Sequence, residues 1–182
     1  ESSVDCWESF RQVQYMKVLI TSNSFGKFDE APRERMLDLG WELLDNRYHH
    51  IMSEEEMMNE VPGVDAIILG SDIVSKRVLD KADKLKIISR YGVGIDNIDT
   101  VEVEKRGIAV TVTKNCNTEA VADYTIALML ATLRHVCNVH SSLQKGIWKK
   151  ETGMDLCHKT VGVFGLGAIG RQVVKRLKGF EC

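Results

Sequence analysis

The sequence predicts an α/β fold: a doubly wound parallel sheet, followed by the start of a second α/β unit. Two observations support this prediction. Short, almost entirely apolar runs alternate with helical segments up to about residue 113, as is typical of strands that are buried on both faces of a parallel sheet. A glycine-rich strand–turn–helix pattern then follows at residues 160–179, and it indicates a new unit.

Five apolar runs predict the strands, in chain order: residues 16–22, 41–44, 64–70, 85–89 and 108–113. The segments between them carry helix signals. In the first of these segments, Pro32 suits the first turn of a helix and Gly40 suits its end. In the second, Ser53 and Glu56 have the spacing of a capping box, in which each side chain bonds the backbone N–H of the other residue.

Two further helices complete the alternation. Residues 75–82 predict a short third helix, and Asp99 and Glu102 are candidates to cap the fourth, which Gly107 ends. Because a helix separates each strand from the next, we expect five parallel strands with helices on both faces of the sheet.

The pattern changes after the fifth strand. Residues 119–134 are apolar almost all round, which predicts a helix that is buried against a large surface. Residues 161–164 predict a strand, and the helix after them has a predicted buried stripe of Ile169, Val173 and Leu177.

These signals divide the chain into three stretches. Met16 opens the first strand as a natural start would, so residues 1–15 are expected to be an N-terminal extension without a role in the fold. Residues 16–113 form the sheet domain. Residues 114–182 hold a connecting helix, a mixed stretch and the first strand and helix of a second domain, which we expect to be truncated.

Composition excludes several classes of function. The net charge of −2 provides no field for nucleic acid or an anionic membrane, and neither a transmembrane segment nor a signal peptide is expected. The cysteines are odd in number, widely spaced and without a CxxC pair, which predicts reduced thiols in a cytoplasmic protein and no metal site. They stand at positions 6, 116, 137, 157 and 182.

The clearest motif is G-x-G-x-x-G, formed by Gly165, Gly167 and Gly170 between a predicted strand and a predicted helix. The first glycine permits a tight turn, the second lets the backbone approach a pyrophosphate, and the third lets strand and helix pack closely. The helix N-terminus then presents N–H groups and a positive dipole to phosphates. In this context the motif favours dinucleotide binding over a mere tight turn.

A second glycine loop follows the fourth strand, in "SRYGVGIDNID" at residues 89–99. Gly92 and Gly94 allow a positive φ on either side of Val93, and successive N–H groups there can form an anion-binding concavity. The guanidinium of Arg90 is a candidate to bind a carboxylate or phosphate through two parallel hydrogen bonds. The spacing is equally consistent with a tight turn in which Arg90 is solvated.

These stretches, together with "HKTVGVFGLGAIGRQVVKRLKGF", resemble the D-isomer-specific 2-hydroxyacid dehydrogenases, and the opening "KVLITSNSFGKFDE" resembles the phosphoglycerate dehydrogenase-like branch. The resemblance covers residue 16 to the end. It implies a flavodoxin-like substrate domain and a Rossmann NAD-binding domain. It also implies hydride transfer between NAD and C2 of a D-2-hydroxyacid, of which a 3-phosphoglycerate-like compound is the expected substrate.

The resemblance also implies roles for particular residues. The backbone of Gly92, Val93 and Gly94 binds the substrate carboxylate, beside Arg90, and Val93 lies where the nicotinamide approaches. Residues 136–158 resemble an arm through which family members form homodimers, with Trp148 as an anchor. The other cofactor positions are Thr118, Gly165, Gly167, Ala168, Ile169 and Gly170.

Two departures from the family pattern stand out. Lys114 and Asn115 replace a usual Pro-Gly pair, which is expected to alter the hinge but not the fold. None of the histidines, at positions 49, 50, 135, 140 and 158, matches the catalytic histidine, and no residue matches the catalytic arginine or glutamate. The chain alone is therefore expected to be inactive.

Two alternatives to an enzyme fragment remain open. The first is a non-catalytic NAD-binding module that regulates or acts as a corepressor, as some relatives do. The second is a free-standing sheet domain with residues 119–182 as a docking tail. A stable protein partner would favour the first, and a proteolysis-resistant core that ends near residue 113 would favour the second.

Overall fold

A computed structural model describes residues 15–182 of the chain. The predicted N-terminal extension therefore lies outside the described residues, except for Tyr15, and so does Cys6. The chain separates into two compact units. The first unit ends at Lys114, and the second comprises Asn115–Cys182.

The first unit contains a five-stranded sheet in which neighbouring strands are all parallel. The strands are β1 (Lys17–Ile20), β2 (Glu42–Asp45), β3 (Ala66–Leu69), β4 (Ile87–Arg90) and β5 (Ala109–Val112). Their order across the sheet is β2-β1-β3-β4-β5, the flavodoxin-like order of doubly wound folds. The predicted fold class is confirmed. Four of the strands are shorter than the apolar runs that predicted them, and β2 is shifted by one residue.

Four helices connect the strands: α1 (Ala31–Asp38), α2 (Glu54–Glu60), α3 (Lys76–Lys81) and α4 (Thr100–Lys105). The register pairs Arg90, the last residue of β4, with Leu69 of β3 and Val112 of β5. The carboxyl ends of these three strands therefore finish level at one edge of the sheet, where open α/β sheets bind ligands.

Apolar side chains cover both faces of the sheet. Leu19, Ile67 and Ile88 belong to one buried cluster with residues of α2, α3 and α4. Val18 and Ile20 belong to a second cluster, which includes Met36 of α1. Because successive strand residues point to opposite faces, continuous apolar strands follow directly from this two-sided burial, and each buried aliphatic side chain contributes about 1.5–3 kcal/mol.

Two of the three predicted helix caps are confirmed. Ser53 Oγ accepts from the N–H of Glu56, and the Glu56 carboxylate accepts from the N–H of Ser53, which completes the capping box. Asp99 accepts from the N–H of Glu102 at 3.1 Å. The prediction that Glu102 itself acts as a cap is wrong, because its carboxylate is drawn to three nearby cations: Lys76, Lys105 and Arg106.

Asn115, at the start of the second unit, adopts a left-handed conformation with φ of 63°. This region favours glycine, and asparagine is among the side chains that enter it most readily. Asn115, at the position where the resemblance implies a glycine, thus forms a left-handed turn.

The second unit contains α5 (Thr118–Leu133), α6 (Val136–Gln144), α7 (Ala168–Leu177) and a 3-10 turn (Lys178–Phe180). Helices α5 and α7 share a small buried cluster of Ala122, Ile126, Leu156, Val173 and Leu177. None of the described helices is long and apolar enough to cross a membrane on its own. The pair α5 and α6 reaches that length and composition only together, and it is bent by 65°.

Arg176 fastens α7 to α5. Its guanidinium bonds Glu119 at 2.7 Å and Asp123 at 2.5 Å, and these two carboxylates raise the pKa of Arg176. The charged pairs lie at the edge of the buried cluster, so they fix the orientation of α7 while the apolar contacts hold it in place.

Three predictions for this unit need correction. Residues 161–164 pair with no strand in the described part of the chain; their alternating burial comes from Val161 and Val163, which pack on the α5–α7 cluster. Ile169 is 37% exposed and lies outside the buried stripe, because the first turn of α7 extends past the cluster. Helix α5 is buried along one side only, and Tyr124 and Leu128 are exposed.

Candidate functional site

The first candidate site is the loop that follows β4 at the level edge of the sheet. The N–H of Tyr91 still donates to Leu69 O of β3, and the O of Gly92 accepts from Thr113 after β5. Residues 92–97 then leave the sheet. The loop is therefore anchored on both neighbouring strands at its first two residues.

Arg90 curls back over the loop rather than pointing into solvent. Its Nε donates to Gly94 O at 2.9 Å, and its Nη1 donates to Tyr91 O at 2.8 Å and to Leu69 O at 3.3 Å. Three donations to backbone carbonyls engage Nε and Nη1. The side chain therefore holds the loop in shape rather than standing free in solvent. The predicted role of Arg90 in binding the substrate stays a prediction.

An added side chain at either glycine of the loop would displace a neighbouring side chain. A Cβ at Gly92 would lie 2.7 Å from Arg90 Nη1, and a Cβ at Gly94 would lie 2.8 Å from Asp96 Oδ1. The expectation of a positive φ at Gly94 is wrong, because Gly94 is not among the residues with positive φ. A Cβ at Gly94 would instead require the Asp96 carboxylate to shift.

The loop presents a row of unpaired donors. Among residues 15–182, no backbone or side-chain acceptor takes the N–H of Gly92, Val93 or Gly94. Adjacent free N–H groups are the element from which anion-binding concavities are built. The side chain of Val93 is 46% exposed beside them, so an apolar group borders the donors.

Asn97 closes the loop, and sequence reasoning missed this role. Its side-chain amide donates to Asp72 O at 2.7 Å and to Gly70 O at 3.4 Å, while its own carbonyl accepts from the N–H of Val74. The loop is thus tied to the segment after β3. The sequence offers only one signal for this role, an asparagine two residues before the Asp99 cap, and its spacing does not distinguish it from an ordinary loop residue.

The second candidate site is the glycine turn before α7. Gly165 has φ of 90°, in the region that favours glycine. A Cβ at Gly170 would lie only 2.0 Å from Gly165 O. The third glycine of the motif therefore lets α7 start against the backbone of the turn, whereas the sequence predicts close packing of this helix on a strand.

Gly167 differs from its two partners in the motif. It immediately precedes α7, offers no side-chain cap, and a Cβ placed there would meet no atom within 4 Å. The protein's own packing therefore does not require this glycine. The N–H groups of Ala168 and Ile169 have no intrahelical partner. Because the space next to them is open, an anionic group can approach the backbone there.

These features fit the phosphates of a dinucleotide. The empty side of Gly167 and the α7 N-terminus could hold a pyrophosphate, with Ala168, Ile169 and Gly170 as donors. Thr118, the remaining predicted cofactor residue, is the first residue of α5 and is 9% exposed. The roles of these residues in cofactor binding stay predictions.

Comparisons with known proteins agree with the sequence patterns. The family described as "D-isomer specific 2-hydroxyacid dehydrogenase, catalytic domain" matches residues 18–180. A glyoxylate reductase from Pyrococcus horikoshii is 43% identical over 137 residues, which cover 70% of this chain and 41% of that protein. A D-3-phosphoglycerate dehydrogenase from Archaeoglobus fulgidus is 44% identical over 133 residues, which cover 71% of this chain and 25% of that protein.

Solved structures give the same result for the fold. A crystal structure of a Thermus thermophilus protein is 36% identical with a TM-score of 0.79, covering 91% of this chain and 54% of that one. An NAD⁺-bound 3-phosphoglycerate dehydrogenase from Entamoeba histolytica is 27% identical with a TM-score of 0.75, covering 92% of this chain and 52% of that one. The chain thus spans about half the length of these structures, and a quarter to two fifths of the curated relatives.

Proposed function

Because the chain belongs to the D-isomer specific 2-hydroxyacid dehydrogenase family, whose members are NAD-dependent oxidoreductases, we propose that it supplies two parts of such an enzyme. These are the loop that binds the substrate carboxylate and the first phosphate-binding turn of the cofactor site. The observation that carries the proposal is the row of unpaired N–H groups at Gly92, Val93 and Gly94, held in shape by Arg90.

The carboxylate loop positions the hydroxyacid. A carboxylate is an acceptor with two oxygens, and adjacent backbone N–H groups are fixed donors that need no reorganisation when it binds. With the carboxylate bound there, C2 of the substrate comes next to the loop. The exposed side chain of Val93 is proposed as an apolar contact for the nicotinamide.

The turn before α7 binds the pyrophosphate of NAD. The open side of Gly167 admits the phosphates, and the α7 N-terminus contributes N–H groups and the positive end of its dipole. The nicotinamide of bound NAD supplies the chemistry, as acceptor of a hydride from C2 of the substrate. Thr118 borders the cofactor at the start of α5.

We also propose that residues 1–182 alone do not turn over substrate. Oxidation of a hydroxyl requires a group that takes its proton, and none of the five histidines matches the family's catalytic position. A positioned proton acceptor contributes about 10²–10⁴ in rate. Measurable reduction of NAD by the 182-residue chain with D-3-phosphoglycerate, D-glycerate or D-lactate would contradict this part of the proposal.

A chimera tests the proposed parts directly. Residues 16–182 replace the matching segment of the Pyrococcus horikoshii glyoxylate reductase, and turnover is measured with that enzyme's cofactor. We expect an active chimera in which Gly92→Ala raises the KM for the hydroxyacid at least about tenfold, because the added Cβ displaces Arg90 from the loop. Val101→Ala, which changes an exposed side chain on α4 outside the loop, is the matched control, and we expect less than a threefold change in KM.

Two results would overturn the proposal. One is a folded chimera without activity, and the other is an unchanged KM in the Gly92→Ala chimera. The same assay identifies the substrate class. We propose a 3-phosphoglycerate-like hydroxyacid, so phosphohydroxypyruvate should be reduced at a higher kcat/KM than glyoxylate; the reverse ranking assigns the chain to a glyoxylate-reducing member.

We further propose a homodimer through residues 136–158. Ile147 and Trp148 are 53% and 88% exposed, and an apolar pair of this kind is typical of a protein interface. Sedimentation of the 182-residue chain tests the idea: Trp148→Ala should weaken dimerisation at least tenfold, whereas Phe28→Ala, which changes an equally exposed ring in the first unit, should not. A monomeric wild-type chain would contradict it.

The proposed location is the cytoplasm. Cys137, Cys157 and Cys182 are exposed thiols, and exposed thiols persist in a reducing compartment. Fractionation of cells that express the tagged natural gene tests this; recovery of the protein outside the cytoplasm would contradict it.

A further inference from the structure

Three side chains of metal-ligand type converge on the surface of the second unit. The thiol of Cys157, the imidazole of His158 and the carboxylate of Glu181 each offer one ligand atom, and these atoms all lie within 4.8 Å of one another. All three residues are exposed. None of them belongs to the glycine loop at residues 90–97 or to the glycine turn at residues 165–170.

The backbone brings the two segments together. The N–H of His158 donates to Glu181 O at 3.0 Å. On either side, Leu156 is buried in the α5–α7 cluster and Phe180 packs against the same cluster. The ligand atoms are therefore carried on segments that the core holds in place rather than on freely moving chain.

The separation of the thiol and carboxylate ligand atoms is close to that in a tetrahedral site. Zn²⁺ binds thiolate sulfur at about 2.3 Å and carboxylate oxygen at about 2.1 Å, which puts the two ligand atoms about 3.6 Å apart in a tetrahedral site. The separation of Cys157 Sγ and Glu181 Oε2 is 3.8 Å. Little movement is needed to place an ion between them.

We propose that Cys157, His158 and Glu181 bind one divalent transition-metal ion, with Zn²⁺ as the best match and water as the fourth ligand. The mixture of sulfur, nitrogen and oxygen selects this class of ion, because Mg²⁺ and Ca²⁺ take oxygen ligands. The bound ion ties the turn before the phosphate-binding segment to the chain that follows α7. The sequence-based expectation of no metal site was drawn from the spacing of the cysteines. That spacing does not detect a site whose ligands come from two segments about 23 residues apart.

Zinc titration of the 182-residue chain tests the proposal. The protein is kept reduced with a phosphine, and Zn²⁺ is titrated in competition with a chromophoric chelator. We expect one Zn²⁺ per chain. Cys157→Ser and Glu181→Gln should each weaken binding at least about tenfold, the lower limit seen even for residues behind the ligands. Cys137→Ser and His140→Ala, exposed residues of the same types on α6, are matched controls and should bind as the wild type does.

A further variant separates metal binding from folding. His158 has φ of 59°, a conformation that glycine adopts without strain. His158→Gly should therefore keep or raise the melting temperature of the metal-free chain while it weakens zinc binding at least tenfold. Titration with Co²⁺ adds a direct probe of the sulfur: a thiolate-to-cobalt absorption band should form in the wild type and be absent in Cys157→Ser.

Three results would overturn the proposal. They are a wild-type chain that does not bind Zn²⁺, binding that survives all three ligand substitutions, and binding that the Cys137→Ser control abolishes. Any of these would mean that the convergence of the three side chains is a feature of packing alone.

Discussion

The two glycine turns of the molecule offer similar donors but are held in different ways. Within residues 15–182, the N–H groups of Gly92, Val93 and Gly94 in the loop after β4 have no acceptor, and a side chain, Arg90, keeps the loop in shape. The turn before α7 is held by main chain against main chain, with no room for a Cβ between Gly170 and the carbonyl of Gly165.

Three of the glycines show different uses of the missing side chain. At Gly92 it leaves room for a guanidinium, at Gly170 it leaves room for a carbonyl, and at Gly167 it leaves space that no protein atom fills. A side chain can rotate away from an intruding methyl group, whereas a backbone carbonyl cannot. The effects of substitution should therefore differ in size and in kind between the two turns.

Gly170→Ala should have the largest effect. Its Cβ would lie 2.0 Å from Gly165 O, so the turn and the start of α7 must move apart. Overpacking of this kind costs about 3 kcal/mol when backbone has to shift. Urea unfolding of the second unit should register that loss of stability.

Gly167→Ala is the matched control, because nothing lies within 4 Å of the new Cβ. We expect a loss below about 1 kcal/mol, in the range of changes at a helix N-cap. In the chimera, this substitution should nevertheless raise the KM for the cofactor about tenfold, because the methyl group occupies the space proposed for the pyrophosphate. Equal destabilisation by the two alanines would refute the distinction between the two glycines.

Arg90→Lys should have the next largest effect. Lysine keeps the positive charge but cannot place donors on the carbonyls of Tyr91 and Gly94 at once, since it lacks the planar fork. For this half-buried side chain we expect a loss of about 1–2 kcal/mol in the first unit, measured by urea unfolding, together with a higher KM for the hydroxyacid in the chimera.

The two readouts for Arg90→Lys distinguish positioning from direct contact. A residue that shapes the loop changes stability and KM together. If KM rose while stability stayed at the wild-type value, Arg90 would instead contact the substrate. Arg77→Lys is a control, because this exposed arginine of the first unit pairs with Glu54 on the surface.

The smallest effect is expected for the ion pairs of Glu102 on α4, the helix that follows the loop after β4. Lys105, helped by Arg106 and Lys76 and opposed by burial, lowers the pKa of Glu102 from 4.5 to about 2. A lowered pKa in the folded state means that Glu102 stabilises the protein above pH 4.5 and loses this contribution as the pH falls towards 2. The difference in melting temperature between wild type and Glu102→Gln should therefore be largest at neutral pH and shrink between pH 4.5 and 2.

Glu104→Gln provides the control for this pH dependence. Glu104 is an exposed carboxylate on the same helix, so its substitution should leave the melting temperature unchanged across that range. A Glu102→Gln difference that stays constant from neutral pH down to the lowered pKa would show that the Glu102 charge does not contribute to stability.

Local patterns predicted the first unit well. Its strands are buried on both faces, so continuous apolar runs mark them, and the Ser53 capping box and the Asp99 cap depend on residues three apart. The alternation of strand and helix also predicts parallel strands, whose carboxyl ends lie at the same edge of the sheet as the loop after β4. Each of these features is set by neighbours in the chain, which is the information a single sequence contains.

The remaining features depend on contacts that spacing does not encode. Arg90 turns back onto carbonyls of its own loop. This contact depends on the side-chain torsion angles of Arg90, which residue spacing does not determine. The segment 161–164 has the apolar alternation of a strand, but a strand also needs a partner, and the pattern of one segment does not supply it. The convergence of Cys157, His158 and Glu181 arises from the packing of Leu156 and Phe180 on a shared cluster.

The phosphate turn has a consequence for the order of events during synthesis. Its shape depends on Gly165 against Gly170 and on the grip of Arg176 on α5, all formed within residues 118–177 and without a paired strand. Chains fold as they emerge, amino-terminal parts first. The turn can therefore take its shape as soon as α7 leaves the ribosome.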